Sequence, residues 1–309
     1  MKVLESIMRE ATKVLIEREN EIKFIVATLL ARGHVLLEGV PGIAKTATAK
    51  VVTRLLDLDF RRIQMTPDLL PYDIIGGYIY DQKSGEFKLR LGPIFTNVVL
   101  VDEINRASPR TQSALLEAMQ ERQVTIEGVS FPLPEPFMVI ATQNPIEFEG
   151  VFPLPEAQLD RFMARIYIDY PSTKGFIEIM KRIDEIEEGI KNIRPIISRD
   201  FILEAMKEVS AIRVDDSILE YISRIVEESR KHPAVKLGGS PRAGIATLKL
   251  ARAWAYLEGR SYVIPDDVKA VAISTLSHRI VLKPEYELEG IRAESVVKDI
   301  LAKVPLPRP

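Results

Sequence analysis

The stretch that most restricts the fold is Gly39-Val40-Pro41-Gly42-Ile43-Ala44-Lys45-Thr46. It lies between an apolar run, His34-Val35-Leu36-Leu37-Glu38, and a helix-prone one, Ala47-Thr48-Ala49-Lys50-Val51-Val52. A strand, a loop of small residues and a Lys-Thr pair at a helix start make a phosphate-binding loop. Backbone N–H groups of such a loop, with the positive end of the helix dipole, surround an anion. Lys45 is placed to reach the outer phosphates of a nucleotide, and the Thr46 hydroxyl to hold Mg2+. One position departs from the usual G-x-x-x-x-G-K-[ST]: Ala44 stands where the second glycine belongs. Taken alone, the same residues also fit a glycine turn between a strand and a helix that carries a surface lysine.

Four more segments read as strands. Phe60-Arg61-Arg62-Ile63-Gln64-Met65 ends at Thr66-Pro67. Val98-Val99-Leu100-Val101 is continuously apolar, as in a strand buried on both faces of a parallel sheet, and it ends in Asp102-Glu103. Phe137 to Asn144 and Arg165 to Tyr170 complete the set. Helical patterns fill the intervals. Leu4, Ile7, Met8, Ala11, Val14 and Leu15 share one face near the start, and Ser108-Pro109 opens a helix that buries Leu115, Leu116 and Met119. The alternation predicts an α/β fold with a parallel, doubly wound sheet. Two alternating pairs, 76–80 with 86–90 and the run 123–131, predict β-hairpins. After Pro171-Ser172-Thr173 the strands stop, and the rest of the chain reads mostly as helices. The expected organisation is an αβα nucleotide-binding core at 1–170, a linker at 171–195 and a helical domain at 196–309.

Composition removes several functional classes. With 42 basic and 44 acidic residues the net charge is -2, too little to draw in nucleic acid or an anionic membrane. The absence of cysteine excludes disulfides, cysteine–zinc sites and a thiol nucleophile. Apolar stretches such as Phe24 to Leu30 fall short of the ~20 residues that span a bilayer, and Met1 to Ser6 has no signal core, so a cytoplasmic protein is expected. His34, His232 and His278 show no metal-ligand spacing and read as structural, and Trp254, on one face with Leu250 and Leu257, reads as core.

Asp102-Glu103 ends a buried strand, and ligands of open α/β sheets sit at the carboxyl ends of strands, where Lys45-Thr46 also lies. Asp102 is suited to Mg2+, and Glu103 to polarising the water that attacks a γ-phosphate. Asn144 ends another strand; it either orients that water or is only a turn residue before Pro145. Arg161, in Leu159-Asp160-Arg161-Phe162, and Arg242, in Ser240-Pro241-Arg242, are guanidiniums of the kind that meet charge building on a γ-phosphate, or else surface salt-bridge partners. Arg242 opens a helix and would point at the nucleotide if the helical domain closed over the site.

From about residue 20 to its end the chain resembles the MoxR branch of the AAA+ ATPases. The most specific matches are Asp102 to Ala107, continuing through Thr111 to Glu121. Leu37 to Gly42, Gln64 to Asp73, Thr142 to Pro145, Leu154 to Phe162 and Ser240 to Ala243 match in the same order. The resemblance implies a P-loop core followed by an all-helical lid. It makes Ala44 a family trait. It also implies that Gly39, Val40, Pro41, Gly42, Ile43, Ala44, Lys45, Thr46, Ala47 and Asp102 bind ATP, with Thr46 and Asp102 holding Mg2+. Lys45 and Thr46 then belong to Walker A, and Asp102 and Glu103 form Walker B. Asn144 matches sensor 1, Arg242 sensor 2, and Arg161 the arginine finger that acts on a neighbouring subunit's nucleotide. The hairpin at 78–90 is similar to the helix-2 insert of that clade. Relatives form hexameric rings and remodel, mature or insert metal cofactors into proteins carrying a von Willebrand factor A (VWA) domain, so such a ring and such a partner are expected. Two other readings stay open: a nucleotide-gated binding module with little turnover, and a nucleic-acid-associated motor.

Overall fold

The computed structural model describes residues 2–144 and 151–307. The chain opens with α1 (Lys2–Ala11) and α2 (Glu19–Leu30), then enters β1 (Val35–Glu38) and α3 (Lys45–Leu55). Next come β2 (Phe60–Gln64), the short α4 (Pro71–Ile75) and an antiparallel hairpin of β3 (Gly76–Asp81) and β4 (Glu86–Leu91). β5 (Val98–Asp102) is followed by a 3-10 turn, α5 (Pro109–Glu121) and a second hairpin, β6 (Gln123–Ile126) with β7 (Val129–Pro132). β8 (Met138–Gln143), α6 (Glu156–Leu159) and β9 (Ala164–Tyr167) end the strand-rich part. Beyond it lie α7 (Thr173–Lys181), α8 (Ile183–Asn192), α9 (Arg199–Ala211), α10 (Asp216–Lys231), β10 (Val235–Leu237), α11 (Pro241–Leu257), α12 (Pro265–Leu276), β11 (Val281–Leu282), α13 (Pro284–Leu288) and α14 (Ala293–Lys303).

Five strands form one sheet in the order β2-β5-β8-β1-β9, every neighbour parallel. Parallel strands need covered faces, and the alternation of side chains divides their apolar residues into two layers. Val35, Leu37, Leu100 and Ile140 point into one core with α2, α3 and the helical region. Leu36, Val99, Val101, Val139 and Ala141 point into a second, which α5 closes with Leu115, Leu116 and Met119. β5 is buried throughout, as its unbroken apolar run predicts. α5 starts as expected: the Ser108 hydroxyl accepts the Thr111 N–H at 3.4 Å, with Pro109 in the first turn.

The interval expected as a linker holds α7 and α8, which are helical. The helical region also contains a small antiparallel pair, β10 with β11, too short to show in the sequence pattern. This region lies against the core along α2, where the Trp254 ring of α11 packs tilted against Phe24, centroids 4.8 Å apart, and carries the Lys23 ammonium 3.9 Å above its ring. Trp254 is half-buried, a lid-to-core contact rather than a fully enclosed residue. Among the described residues no helix is long and apolar enough to cross a membrane.

Candidate active site

The loop between β1 and α3 turns its side chains inward and its backbone outward. Val40 and Ile43 are buried in the core, while Pro41, Gly42 and Ala44 are exposed. Gly39 passes so close to the carbonyl of Ile168 that a Cβ would stand 2.5 Å from that oxygen. Gly42 takes φ +82°, a left-handed conformation open to glycine at no steric cost. Ala44 is also left-handed, at φ 66° and ψ 20°, directly before the first turn of α3. The residue that breaks the usual motif thus adopts the conformation for which that motif has glycine. Lys45 reaches back over the loop to the carbonyls of Gly39 and Gln143. Its ammonium therefore spans the gap between the end of β1 and the end of β8. Ala47 is half-buried in the first turn of α3.

The register brings the acidic pair to the same edge. Leu37 pairs with Thr142 and Val101 with Ala141, so β1, β5 and β8 all finish beside the loop. The Thr46 hydroxyl donates to Asp102 Oδ2 at 3.2 Å, and the Thr142 hydroxyl to Oδ1 at 2.5 Å. Two hard oxygen donors meeting at the mouth of an N–H-lined loop suit Mg2+ beside a phosphate. Thr142 also accepts the N–H of Glu103 at 2.9 Å, and Glu103 is itself left-handed at φ 56°. Glu103 is half-buried beside Asp102. Asn144 is buried at the end of β8, next to this cluster; its follower Pro145 lies outside the described residues.

Sequence reasoning missed what holds the two acids. Arg62 of β2 donates to Asp102 Oδ2 from Nη2 at 2.7 Å and from Nε at 3.1 Å, and to Gln64 at 2.8 Å. Gln64 in turn donates to Glu103 at 2.8 Å, and the Arg106 guanidinium stands 3.2 Å from the same carboxylate oxygen. The guanidinium of Arg62 thus meets the same Asp102 oxygen, Oδ2, that accepts from Thr46. β2 gives no sign of this in sequence, because these contacts run across the register to β5 rather than along the chain. A second omission is an apolar cavity of 640 Å3 against the loop, lined by Leu15, Ile16, Pro41, Ala47, Tyr170 and Phe176 among others. Its walls come from three distant segments, so no local pattern announces it.

The arginines fall elsewhere. Arg161 lies just before β9, whose first residue, Ala164, pairs with Val35 at the start of β1. The loop leaves the far end of β1, about 13 Å away at ~3.3 Å per residue. Arg161 therefore sits at the opposite end of the sheet from the loop of its own chain, held by a 3.2 Å hydrogen bond to Gln120. Arg242 is there too, donating to Asp160 Oδ2 at 2.9 Å. From Trp254, packed on α2, the helix α11 runs back twelve residues, about 18 Å at ~1.5 Å per residue, to reach it. In this conformation the helix that carries Arg242 starts beside Asp160 rather than over the phosphate loop.

Residues 34–164 match the family described as "ATPase family associated with various cellular activities (AAA)", and 227–300 match "AAA lid domain". The chain is 48% identical over 295 residues to the uncharacterised protein YeaC of Bacillus subtilis (strain 168), covering 96% of this chain and 92% of YeaC. It is 42% identical over 314 residues to Chaperone MoxR1 of Mycobacterium tuberculosis, covering 99% and 82% of the two. Among solved structures, that of a candidate ATPase from Cytophaga hutchinsonii superposes with a TM-score of 0.91 at 40% identity, covering 98% of this chain and 94% of that one.

Proposed function

Because the chain belongs to the MoxR family of AAA+ ATPases, a chaperone-like group, we propose that it hydrolyses ATP to ADP and phosphate with Mg2+ as one subunit of a ring, and uses the cycle to remodel a protein partner. The observation that carries this reading is the meeting of Thr46 with Asp102 at the loop mouth, with Glu103 immediately beside them.

In this reading the loop N–H groups and Lys45 hold the phosphates, and the apolar cavity takes the base. Thr46 and Asp102 would hold Mg2+, which would draw charge off the phosphate oxygens. Glu103 accepts a proton from the attacking water, and Asn144 orients that water. Arg161 and Arg242, at the far end of the sheet, serve the nucleotide of the adjacent protomer. A hexamer, a cytoplasmic setting and a partner with a VWA domain are the family-based extensions, with the β3–β4 hairpin as a helix-2 insert on the pore or partner side. We take 1–170 as the core, 171–195 as the connection and 196–309 as the lid. A net charge of -2 favours a protein partner over nucleic acid.

The test is steady-state phosphate release by wild type and Glu103→Gln. The variant should bind ATP as before and turn over ~10²–10⁴-fold more slowly, the usual worth of a general base. Equal rates in the two, with ATP still bound, would leave a binding module in place of an enzyme.

A further inference from the structure

We propose that Asp160 is a positioning residue: it fixes Arg242 beside Arg161, so that the two guanidiniums are offered as a pair to a single nucleotide, that of the adjacent protomer. The proposal rests on the ATPase reading above and goes beyond it in naming the residue that aligns the two arginines.

Asp160 shares its carboxylate between two guanidiniums. Oδ1 accepts from Arg279 Nε at 2.6 Å and Oδ2 from Arg242 Nη1 at 2.9 Å. The two arginines are unlike. Arg279 is only 3% exposed, and all five of its N–H donors are engaged. Besides Asp160 Oδ1 they reach the carbonyls of Asp160, Phe162, Met163 and Thr275 at 2.9, 2.7, 3.3 and 2.5 Å. His278 adds a bond from Nε2 to Phe162 O at 3.0 Å. Arg279 is therefore a clamp: it ties the segment that carries Arg161 to the end of α12 and has no donor left for a ligand. Arg242 is 56% exposed, and its Asp160 contact uses a single donor. It is the exposed member of the set, with donors left for a ligand.

Charge points the same way. Arg242 and Arg279 bring two positive charges to one carboxylate, and Arg161 follows Asp160 directly in the chain. Among the described residues the ion pairs of Arg242 and Arg279 run to Asp160 alone, and Arg161 has none. The surplus positive charge at this edge suits a polyphosphate, and the chain's own phosphate loop lies at the other end of the sheet. Asp160 thus does two things with one group. It neutralises the buried Arg279, whose charge burial disfavours, and it aims Arg242.

The experiment uses assembled protein, with melting temperature confirming the fold of each variant. Asp160→Asn keeps the shape and an acceptor for Arg279, and Asp160→Glu keeps the charge while moving the carboxylate outward. Each should lower kcat about tenfold with KM little changed, since misplacing a catalytic cation mainly weakens the transition state. The same substitution should cost nothing further in an Arg242→Ala background. Mixing Asp160→Asn with Lys45→Ala protein, which has a defective loop but intact arginines, should restore turnover above the mean of the two alone. An Asp160 effect that persists undiminished without Arg242, or mixtures that merely average, would overturn the proposal while leaving the ATPase reading in place. Absence of turnover in wild type would overturn the ATPase reading and this one together. Should Asp160→Asn unfold, Asp160→Glu carries the same comparison with Arg279 still paired.

Discussion

At the scale of single residues, Ala44 shows how a motif and its physics can part. The left-handed region costs a residue with a Cβ ~1–2 kcal/mol, and Ala44 holds it at φ 66°. Glycine relieves that strain but loses some of the gain to its freer unfolded chain. Ala44→Gly should therefore raise stability by about 0.5–1 kcal/mol, read as a shift in the urea midpoint with unchanged slope. No change, or a loss, would mean that the alanine methyl contributes packing that offsets the strain. The groups proposed to meet phosphate and metal were legible in sequence because their spacing is local: Lys45 with Thr46, Asp102 with Glu103. Arg62, Gln64 and Thr142 were not, since each acts across strand neighbours and only the register β2-β5-β8 brings them to the acids.

At the scale of elements, strands and hairpins were readable because parallel burial and alternating faces leave opposite signatures, continuous apolar runs against period-two patterns. What joins the elements was less so. His34 is an instance: it reads as structural, but its task appears only in three dimensions. Its Nε2–H donates to Met119 O at 3.0 Å, at the end of α5, and its Nδ1 accepts the Val139 N–H at 2.9 Å, from β8. That arrangement requires the neutral ring, because a protonated Nδ1 would face another donor. Burial pushes its pKa down to about 4, and His278 is lowered as well. The sign follows from the unfolded chain, which binds a proton near pH 6.5 that the fold refuses. Stability from His34 is complete above that pH and lost as pH falls toward 4, by about 2 kcal/mol between pH 7 and pH 5. Urea unfolding at those two pH values tests this: His34→Asn should flatten the dependence. An equally steep fall in that variant would move the effect to other groups.

At the scale of the whole molecule, the phosphate loop and the arginines occupy opposite ends of one sheet. The Ala164–Val35 register sets Arg161 far from its own loop, which supports the reading of a finger that acts between subunits. Turnover per protomer should rise with protein concentration as subunits meet, and the Arg161→Ala variant should stay flat. The span is wide, since such an arginine is worth ~10³–10⁵ in rate. Phosphate release measured alongside sedimentation decides it; a rate independent of concentration while the assembly state changes would place the whole site within one chain.

An arrangement with donor at one end and acceptor at the other has an arithmetic of its own. Copies joined head to tail repeat the same contact at every junction. An open arc of n chains has n − 1 junctions, so one loop at its end always lacks a neighbour's arginines. Closing the arc completes that last site without adding a chain. If Arg161 and Arg242 serve a neighbour's loop, their placement away from Lys45 would make closure itself a gain in working sites, largest in proportion for small assemblies.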